Sequence, residues 1–399
     1  MSSRPLTIFM SAAEASGDEH AASLIRTLRA ELPEARFVGV AGKRMAEAGC
    51  EVLADLTRKA AMLGGPLLKL GYYFRAIRRI QKAIGSIGPD LHIPVDSPAM
   101  NWHLAAAAKK AGCPVLYYIA PQVWAWAPWR VRKLAELTDR VACILPFEEQ
   151  YLRGRGVKAT FVGHPIFDMH PRRPESLPDL LGAWHEGTWQ VALLPGSRPA
   201  ELGGHTRPLI RVGQAILKRW PRAKCVFATL TAAGAERIRQ AVRRSRCPEL
   251  EIAVGNRAAM EVLSRSHFAV AGSGTVTLQA AYCGVPMVVF YRTGPLARVL
   301  YHTIGRSRKV VGTPHLSLVN ILAGRRIVPE LIPWRGNMGR LIDTVLEVMN
   351  DVGCLEEMRQ GVLKLVEPLH VPPPGSAARN AARLALELLG RRSAADKPG

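Results

Sequence analysis

The sequence predicts an α/β chain of two doubly wound parallel-sheet domains facing a cleft. Three observations predict it. Short apolar runs of strand length alternate with helical patterns along most of the 399 residues. Such alternation argues for parallel strands joined by helical crossovers. The series restarts after 169–188, a stretch rich in proline and charge that reads as a linker. Two glycine-rich turns in the second half each stand between an apolar strand and a helix. Such sheets gather ligands at the carboxyl ends of their strands. The domains are therefore drawn at 1–168 and 189–370, with 371–399 a closing helix and a flexible tail.

In the first half, Thr7–Ser11 reads as a strand and Glu19–Glu31 as a helix with Leu24, Ile25 and Leu28 on one face. Phe37–Val40 is the next strand and ends at Ala41-Gly42. Leu91–Val95 follows, then a helix through Trp102–Ala111, then strands Val115–Ile119 and Val141–Leu145. Gly163-His164-Pro165 closes this half.

In the second half, Val191–Leu194 runs into Pro195-Gly196-Ser197-Arg198, with a helix predicted over Arg207–Lys218. Lys224–Ala228 and Glu251–Val254 are further strands. Phe268–Ala271 then meets Gly272-Ser273-Gly274-Thr275, with a helix over Val276–Cys283 and a strand over Pro286–Tyr291. Residues 376–390 form the last helix, and the tail from Arg391 is frayed. Glycine lets the backbone approach a ligand, and helix-start N–H groups carry partial positive charge. Arg198 adds a planar, permanently charged donor fork. The pair of turns suggests a pocket for a nucleotide diphosphate, although either turn alone is a plain connection.

Net charge is +22, from 54 basic and 32 acidic residues. That favours anionic partners, but the arginines are spread along the chain and no nucleic-acid motif accompanies them. Seven scattered cysteines without a CxxC pair suit buried thiols in a reducing compartment. The histidines show no metal-site spacing. No apolar run reaches the ~18 residues of a membrane span, and the N-terminus reads as a strand, not a signal peptide.

Chemistry concentrates in four places. Asp96 follows the strand Leu91–Val95, where a carboxylate can take a proton from an attacking hydroxyl or simply cap a helix. Ala13-Glu14-Ala15-Ser16-Gly17-Asp18 follows the first strand. Its small residues permit close approach; Glu14, Ser16 and Asp18 offer hydrogen bonds of the kind sugars use, and Asp18 is equally a helix cap. Pro121 to Arg130 holds three of the eight tryptophans, suited to stacking on a sugar, reaching lipid or filling an interface. Between Asp55 and Asp90 no acidic residue occurs. There Leu70, Phe74, Ile77 and Ile84 share a helical stripe, and Arg75, Arg78, Arg79 and Lys82 lie on other faces. This fits an amphipathic helix on an anionic membrane or an ordinary core-packed helix with a basic back.

These segments together resemble the lipid A disaccharide synthase family, inverting glycosyltransferases of the GT-B type with two Rossmann-like domains. The likeness covers about 5–390. It rests on EASGD at 14–18, FVGVAG at 37–42, VDSP at 95–98, PQVWAW at 121–126, LPFEE at 145–149 and VGHP at 162–165. LLPGSRPAE at 193–201, SGT at 273–275, PMVVFYR at 286–292 and NILAGR at 320–325 complete it.

The resemblance implies transfer from UDP-2,3-diacylglucosamine to the 6-hydroxyl of 2,3-diacylglucosamine 1-phosphate (lipid X), giving a β-1′,6 disaccharide and UDP. It makes Asp96 the general base. It puts Gly196, Ser197, Arg198, Ser273, Gly274, Thr275, Gln279, Arg292 and Asn320 on the donor side. On the acceptor side stand Glu14, Ser16, Gly17, Asp18, Asn101, Gln122 and His164. Lipid would meet Leu63, Leu67, Leu68, Leu70 and Phe74, with Arg75, Arg78, Arg79 and Lys82 facing the anionic surface. The first domain is then the acceptor and membrane side, and the second the donor side. No metal and no cofactor are expected, since the UDP-sugar is a substrate. The expected place is the cytoplasmic face of the inner membrane, with no nucleic acid and with a homodimer admitted.

Three positions depart from the family pattern. Ala13 replaces a glycine, Ala99 replaces a second carboxylate, and Gln279 replaces the glutamate expected on the ribose. Rival readings are another UDP-sugar enzyme of the same fold, such as a murein-precursor GlcNAc transferase or an epimerase, and a non-catalytic lipid- or nucleotide-binding relative.

Overall fold

The computed structural model describes residues 4–56, 66–125, 127–170, 176–255, 257–292, 315–334, 336–371 and 375–395. The side chains of 66–70, 72 and 391–395 lie outside that description. The chain divides into two compact units: Met1–Pro171 with Leu369–Gly399, and Arg172–Pro368.

The first unit carries strands β1 (Thr7–Ser11), β2 (Arg36–Val40), β3 (Glu51–Ala54), β4 (Leu91–Pro94), β5 (Leu116–Tyr118), β6 (Arg140–Cys143) and β7 (Ala159–Phe161). They run in the order β3-β2-β1-β4, then β5-β6-β7. Parallel bridges His92↔Val115 and Val95↔Tyr118 join the two runs. Period-2 alternation sorts the faces. Ile8, Met10 and Ile93 pack against Leu24, Ile25 and Leu28 of the helix Ala15–Glu31, and against Ala381, Ala385 and Leu388 of the last helix. Phe9, Val38 and Val40 face Ile77, Ile80 and Ile84 of the helix Pro66–Ile87, and Leu104, Ala105 and Ala108 of the helix Pro98–Lys110.

The second unit holds β8 (Gln190–Leu194), β9 (Lys224–Thr229), β10 (Glu251–Val254), β11 (Phe268–Gly272), β12 (Met287–Phe290) and β13 (Glu330–Leu331). Their order is β10-β9-β8-β11-β12-β13, all parallel. In each unit the strand order therefore reverses beside the first strand: between β1 and β4, and between β8 and β11. Ligand crevices of doubly wound sheets open at such switch points.

Several elements differ from the sequence expectation. The second-unit helix starts at Pro199, not Arg207, and runs to Arg219 through Pro208. Gly203-Gly204 and Pro208 conceal it, but Glu201 caps its start and Leu209, Val212 and Ile216 bury one face. The stretch read as a linker contains the helix Leu180–Glu186, capped by Asp179, whose Leu180 and Ala183 join the second unit's core. The last helix extends through Ala395 and belongs to the first unit. Asp168 holds its start by accepting the N–H groups of Ala377 and Ala378 at 2.9 and 2.8 Å.

Candidate active site

In the first unit, β1 and β4 end side by side, with Ser11 paired to Pro94. Asp96 and Ser97 follow β4, and both are left-handed, at φ 48° and 49°. Left-handed backbone is costly for residues with a Cβ and persists where the surroundings over-determine it. Here the Asp96 N–H donates to Tyr118 O at 3.2 Å. Its carbonyl accepts from Asn101 Nδ2 at 2.7 Å and from the Tyr117 hydroxyl at 2.8 Å. Ser97 Oγ accepts the Ala13 N–H at 3.1 Å, tying the turn to the loop after β1. The N-cap of the helix Pro98–Lys110 is Ser97 and not Asp96. That leaves the half-buried Asp96 carboxylate out of the capping position. A Cβ on Gly17 would lie 3.8 Å from that of Asp96, so the EASGD segment stands against the aspartate.

The other residues expected on the acceptor side serve several roles. Glu14 is half-buried and Ser16 is exposed. Asp18 is buried and accepts three N–H groups, from Gly42, Arg44 and Met45 at 2.8, 2.9 and 3.2 Å. It caps the helix Lys43–Glu47, so its oxygens are engaged by the fold. Asn101 is buried beneath the Asp96 turn. Gln122 is exposed. His164 is buried; its N–H donates to Leu369 O at 3.0 Å and its Nδ1 accepts from Ile166 N at 3.2 Å. Burial, and His20 nearby, push it down to about 3, so it is a neutral docking residue for the returning chain.

Of the aromatic loop, Trp126 lies outside the described residues. Trp129 is exposed, whereas Trp124 is buried and donates Nε1–H to Glu148 at 2.8 Å. Glu148 also accepts the N–H groups of Ile144 and Leu145. Burial outweighs these donors and pushes its carboxyl up to about 7. Glu148 thus clamps the loop to the helix Pro146–Arg153, a role its place in LPFEE does not reveal.

In the second unit, Leu194 pairs with Ala271, so the two glycine turns adjoin at the switch point. Gly196 is left-handed at φ 97°, and a Cβ there would collide with Glu201. The Glu201 carboxylate accepts the N–H groups of Ser197 and Arg198 at 3.1 and 3.2 Å, and Arg198 Nη1 at 3.2 Å. The helix-start amides expected to face a phosphate are therefore occupied by the chain's own carboxylate. Arg198 itself is 62 % exposed.

His205, absent from the sequence reading, stands between the turns. Its Nδ1 donates to Pro195 O at 2.8 Å and its Nε2 accepts the Arg292 N–H at 3.2 Å. A carbonyl on one side and an N–H on the other fix this tautomer. Burial lowers its pKa despite the Pro195 carbonyl, keeping it neutral. Its ring also lies 3.1 Å from where a Gly272 Cβ would stand.

Ser273 Oγ donates to Leu316 O at 3.3 Å, Gly274 and Thr275 are exposed, and Gln279 is half-buried on the helix Thr275–Tyr282. Asn320 is buried, donating to Val328 O and Glu330 and accepting from Ile327 and Val328. Glu330 also takes the Ser317 hydroxyl at 2.7 Å. Burial alone would raise Glu330, but these donors outweigh it and hold its carboxyl below the usual range. Asn320 and Glu330 thus set the segment beside the second turn.

Of the lipid-facing set, Leu63 and the side chains of Leu67, Leu68 and Leu70 lie outside the described residues. Phe74 is 47 % exposed, and Arg75, Arg78, Arg79 and Lys82 are exposed. Ile77, Ile80 and Ile84 of the same helix are core residues, so that part of the apolar stripe is spent on packing.

Two doubly wound parallel-sheet units, each with its own switch point, place the chain in the GT-B fold class. Solved structures share the fold. The Staphylococcus aureus MnaA–UDP co-structure superposes with a TM-score of 0.61 at 12 % identity, covering 99 % of both chains. A Listeria monocytogenes protein described as a putative UDP-N-acetylglucosamine 2-epimerase gives 0.59 at 15 % identity, over 99 % of this chain and 98 % of that one.

Sequence similarity narrows the class. The family profile described as lipid-A-disaccharide synthetase matches residues 8–351. The lipid-A-disaccharide synthase of Serratia proteamaculans is 33 % identical over 97 % of this chain and 99 % of its own length. That of Geobacter sulfurreducens is 33 % identical over 96 % and 98 %. The chain belongs to the lipid-A-disaccharide synthase family.

Proposed function

We propose that the chain joins UDP-2,3-diacylglucosamine to 2,3-diacylglucosamine 1-phosphate in a single displacement, with Asp96 as general base. The acceptor 6-hydroxyl oxygen bonds to the donor anomeric carbon. The bond from that carbon to the diphosphate breaks, and its electron pair leaves with UDP. The hydroxyl proton passes to the Asp96 carboxylate. The observation that carries this reading is Asp96 itself. It stands at the switch point of the first unit, in a left-handed turn held through its own main chain, with the small residues of EASGD against it.

Charge developing on the diphosphate is assigned to the exposed Arg198 and to the turn at Ser273-Gly274-Thr275, with Arg292 held nearby by His205. Glu201 holds the Arg198 turn in shape, and donor binding must compete with it for the guanidinium. Gln279 offers one acceptor and two donors to the donor's hydroxyls.

The reading includes peripheral attachment to the cytoplasmic face of the inner membrane through the segment Met62–Lys82. Exposed Phe74 beside four exposed basic residues supports it. Among the described residues no helix is long and apolar enough to cross a membrane.

The test is incubation of the purified protein with both substrates, followed by mass spectrometry of the lipid fraction and measurement of UDP. The disaccharide 1-phosphate should appear in step with UDP. Epimerised donor, or UDP without a disaccharide, contradicts the proposal.

A further inference from the structure

A line of buried polar groups runs through the core of the first unit to the backbone of Asp96. His92, Ser11 and Asn101 are all completely buried. Asn101 Nδ2 faces three carbonyls: Asp96 at 2.7 Å, Val95 at 3.2 Å and Ser11 at 3.3 Å. Three acceptors around one nitrogen fix which way the amide points. Oδ1 then faces the other side, where the Ser11 hydroxyl donates to it at 2.7 Å. Ser11 has one proton, and that bond uses it. Its oxygen, 3.0 Å from His92 Nε2, must accept from the histidine. The ring therefore carries its proton on Nε2, and Nδ1 is left as a buried atom with no hydrogen-bond partner. Burial pushes His92 down to about 3, so this line stays neutral.

A buried polar network rigidifies the segments it joins. Here it ends on the turn at Asp96 and Ser97. Each residue is left-handed without being glycine, a conformation disfavoured for residues that carry a Cβ, less so for Asp than for Ser. For Ser97 in particular the sequence on its own does not favour that conformation. The shortest bond that Asn101 donates ends on the Asp96 carbonyl, and Tyr117 supports the same oxygen.

We propose that Asn101 is a positioning residue for the reaction: it holds the main chain of Asp96 so that the carboxylate stands at the switch point, and Ser11 with His92 sets the orientation of the Asn101 amide. This rests on the reading of Asp96 as general base. It replaces the acceptor contact expected for Asn101, whose amide is engaged below the site.

The test compares Asn101→Ala, Ser11→Ala and Asp96→Asn, singly and in pairs, in the full chain. It reads kcat, the KM of each substrate, and thermal unfolding. Asn101→Ala should lower kcat about 10²-fold, the size expected of a small misplacement of a reacting group. Both KM values should stay within about twofold. Ser11→Ala, one bond further back, should lower kcat about 3- to 10-fold, the worth of one neutral hydrogen bond. Ser11→Thr, which keeps the hydroxyl, should recover most of it. In the Asp96→Asn background neither change should lower kcat further, because there is no base left to position.

A merely structural role would lower the unfolding temperature and leave kcat of the folded enzyme unchanged. That result overturns the proposal, as do losses confined to KM or losses that multiply fully in the double variants. If Asn101→Ala does not fold, the Ser11 pair decides: equal kcat for the alanine variant and the wild type overturns the proposal. A wild-type rate in Asp96→Asn overturns the base reading itself and is seen without any Asn101 result. Loss in Asp96→Asn with a normal rate in Asn101→Ala overturns positioning alone.

Discussion

Replacing Asp96 by Asn and by Ala separates the role of its carboxylate from the role of its backbone. The hydrogen bonds that hold the turn use the residue's N–H and carbonyl: to Tyr118 at 3.2 Å, and from Asn101 and Tyr117 at 2.7 and 2.8 Å. All three survive either substitution. The backbone is left-handed at φ 48°, a region that Asn tolerates as well as Asp does and Ala does not. Asp96→Asn should therefore leave stability within about 0.5 kcal/mol. Asp96→Ala should cost about 1 kcal/mol, read as a fall of about 2–4 °C in a unit of this size. Activity should not follow that split. An amide and a methyl are equally unable to take the hydroxyl proton, so both variants should lose about 10²–10⁴-fold in kcat, or roughly 3–5 kcal/mol of barrier. The assays are UDP release at saturating substrates and thermal unfolding of the same preparations. A near-wild-type kcat in Asp96→Asn refutes the base. Equal destabilisation of the two variants refutes the argument that the main chain holds the turn.

Arg198→Ala should weaken UDP binding by calorimetry and slow transfer, since it removes an exposed charged fork; unchanged affinity and rate would take Arg198 out of the donor site. His205→Phe keeps the ring packing on Phe290 and Tyr291 but strands the Pro195 carbonyl and the Arg292 N–H. It should destabilise the second unit by about 1–3 kcal/mol and raise the Kd for UDP; full UDP affinity in a folded variant would make His205 dispensable to the donor turns. At Gly17, an added methyl meets Ala12 at 3.4 Å and Val95 O at 3.5 Å, ordinary contacts. Gly17→Ala should gain about 0.5–1 kcal/mol as a helix residue, yet lower kcat/KM for the acceptor by crowding Asp96; a stabilised variant with normal kcat/KM would place the acceptor elsewhere. Arg75, Arg78, Arg79 and Lys82 changed together to Gln should abolish sedimentation with anionic vesicles, at about 1 kcal/mol per charge, and spare activity on detergent-dispersed substrate. Full vesicle binding by the folded variant in moderate salt would locate attachment elsewhere.

Much of the fold was legible because its signals are local. The alternation of apolar runs with helices placed β1, β4, β8 and β11, and the glycine turns marked the ends of β8 and β11. Strands β3, β7 and β13 escaped: Glu51–Ala54 has three exposed residues, Ala159–Phe161 has only three residues in all and Glu330–Leu331 only two. The start of the helix Pro199–Arg219 was hidden because Gly203, Gly204 and Pro208 argue against a helix that tertiary packing nonetheless imposes. Asp96 was found from its place after a strand, but not its left-handed turn, which arises from groups distant in sequence. Ser11 and His92 read locally as ordinary strand residues. Asp18 and Asn320 carry polar groups that suit a ligand equally well, and only three-dimensional contacts show their oxygens and nitrogens engaged by the backbone. Glu201 had a usable signal. It stands three residues after Arg198, the spacing at which an acidic side chain turns back on a helix start.

In the proposed single displacement, Asp96 deprotonates the acceptor hydroxyl as UDP leaves. The most direct measurement is the anomeric configuration of the new linkage, read by proton NMR on disaccharide formed from the α-linked UDP-sugar donor. A β linkage, formed in proportion to UDP released and lost in Asp96→Asn, is the predicted result. An α linkage, or a β linkage formed at an undiminished rate by Asp96→Asn, contradicts displacement with Asp96 as the base.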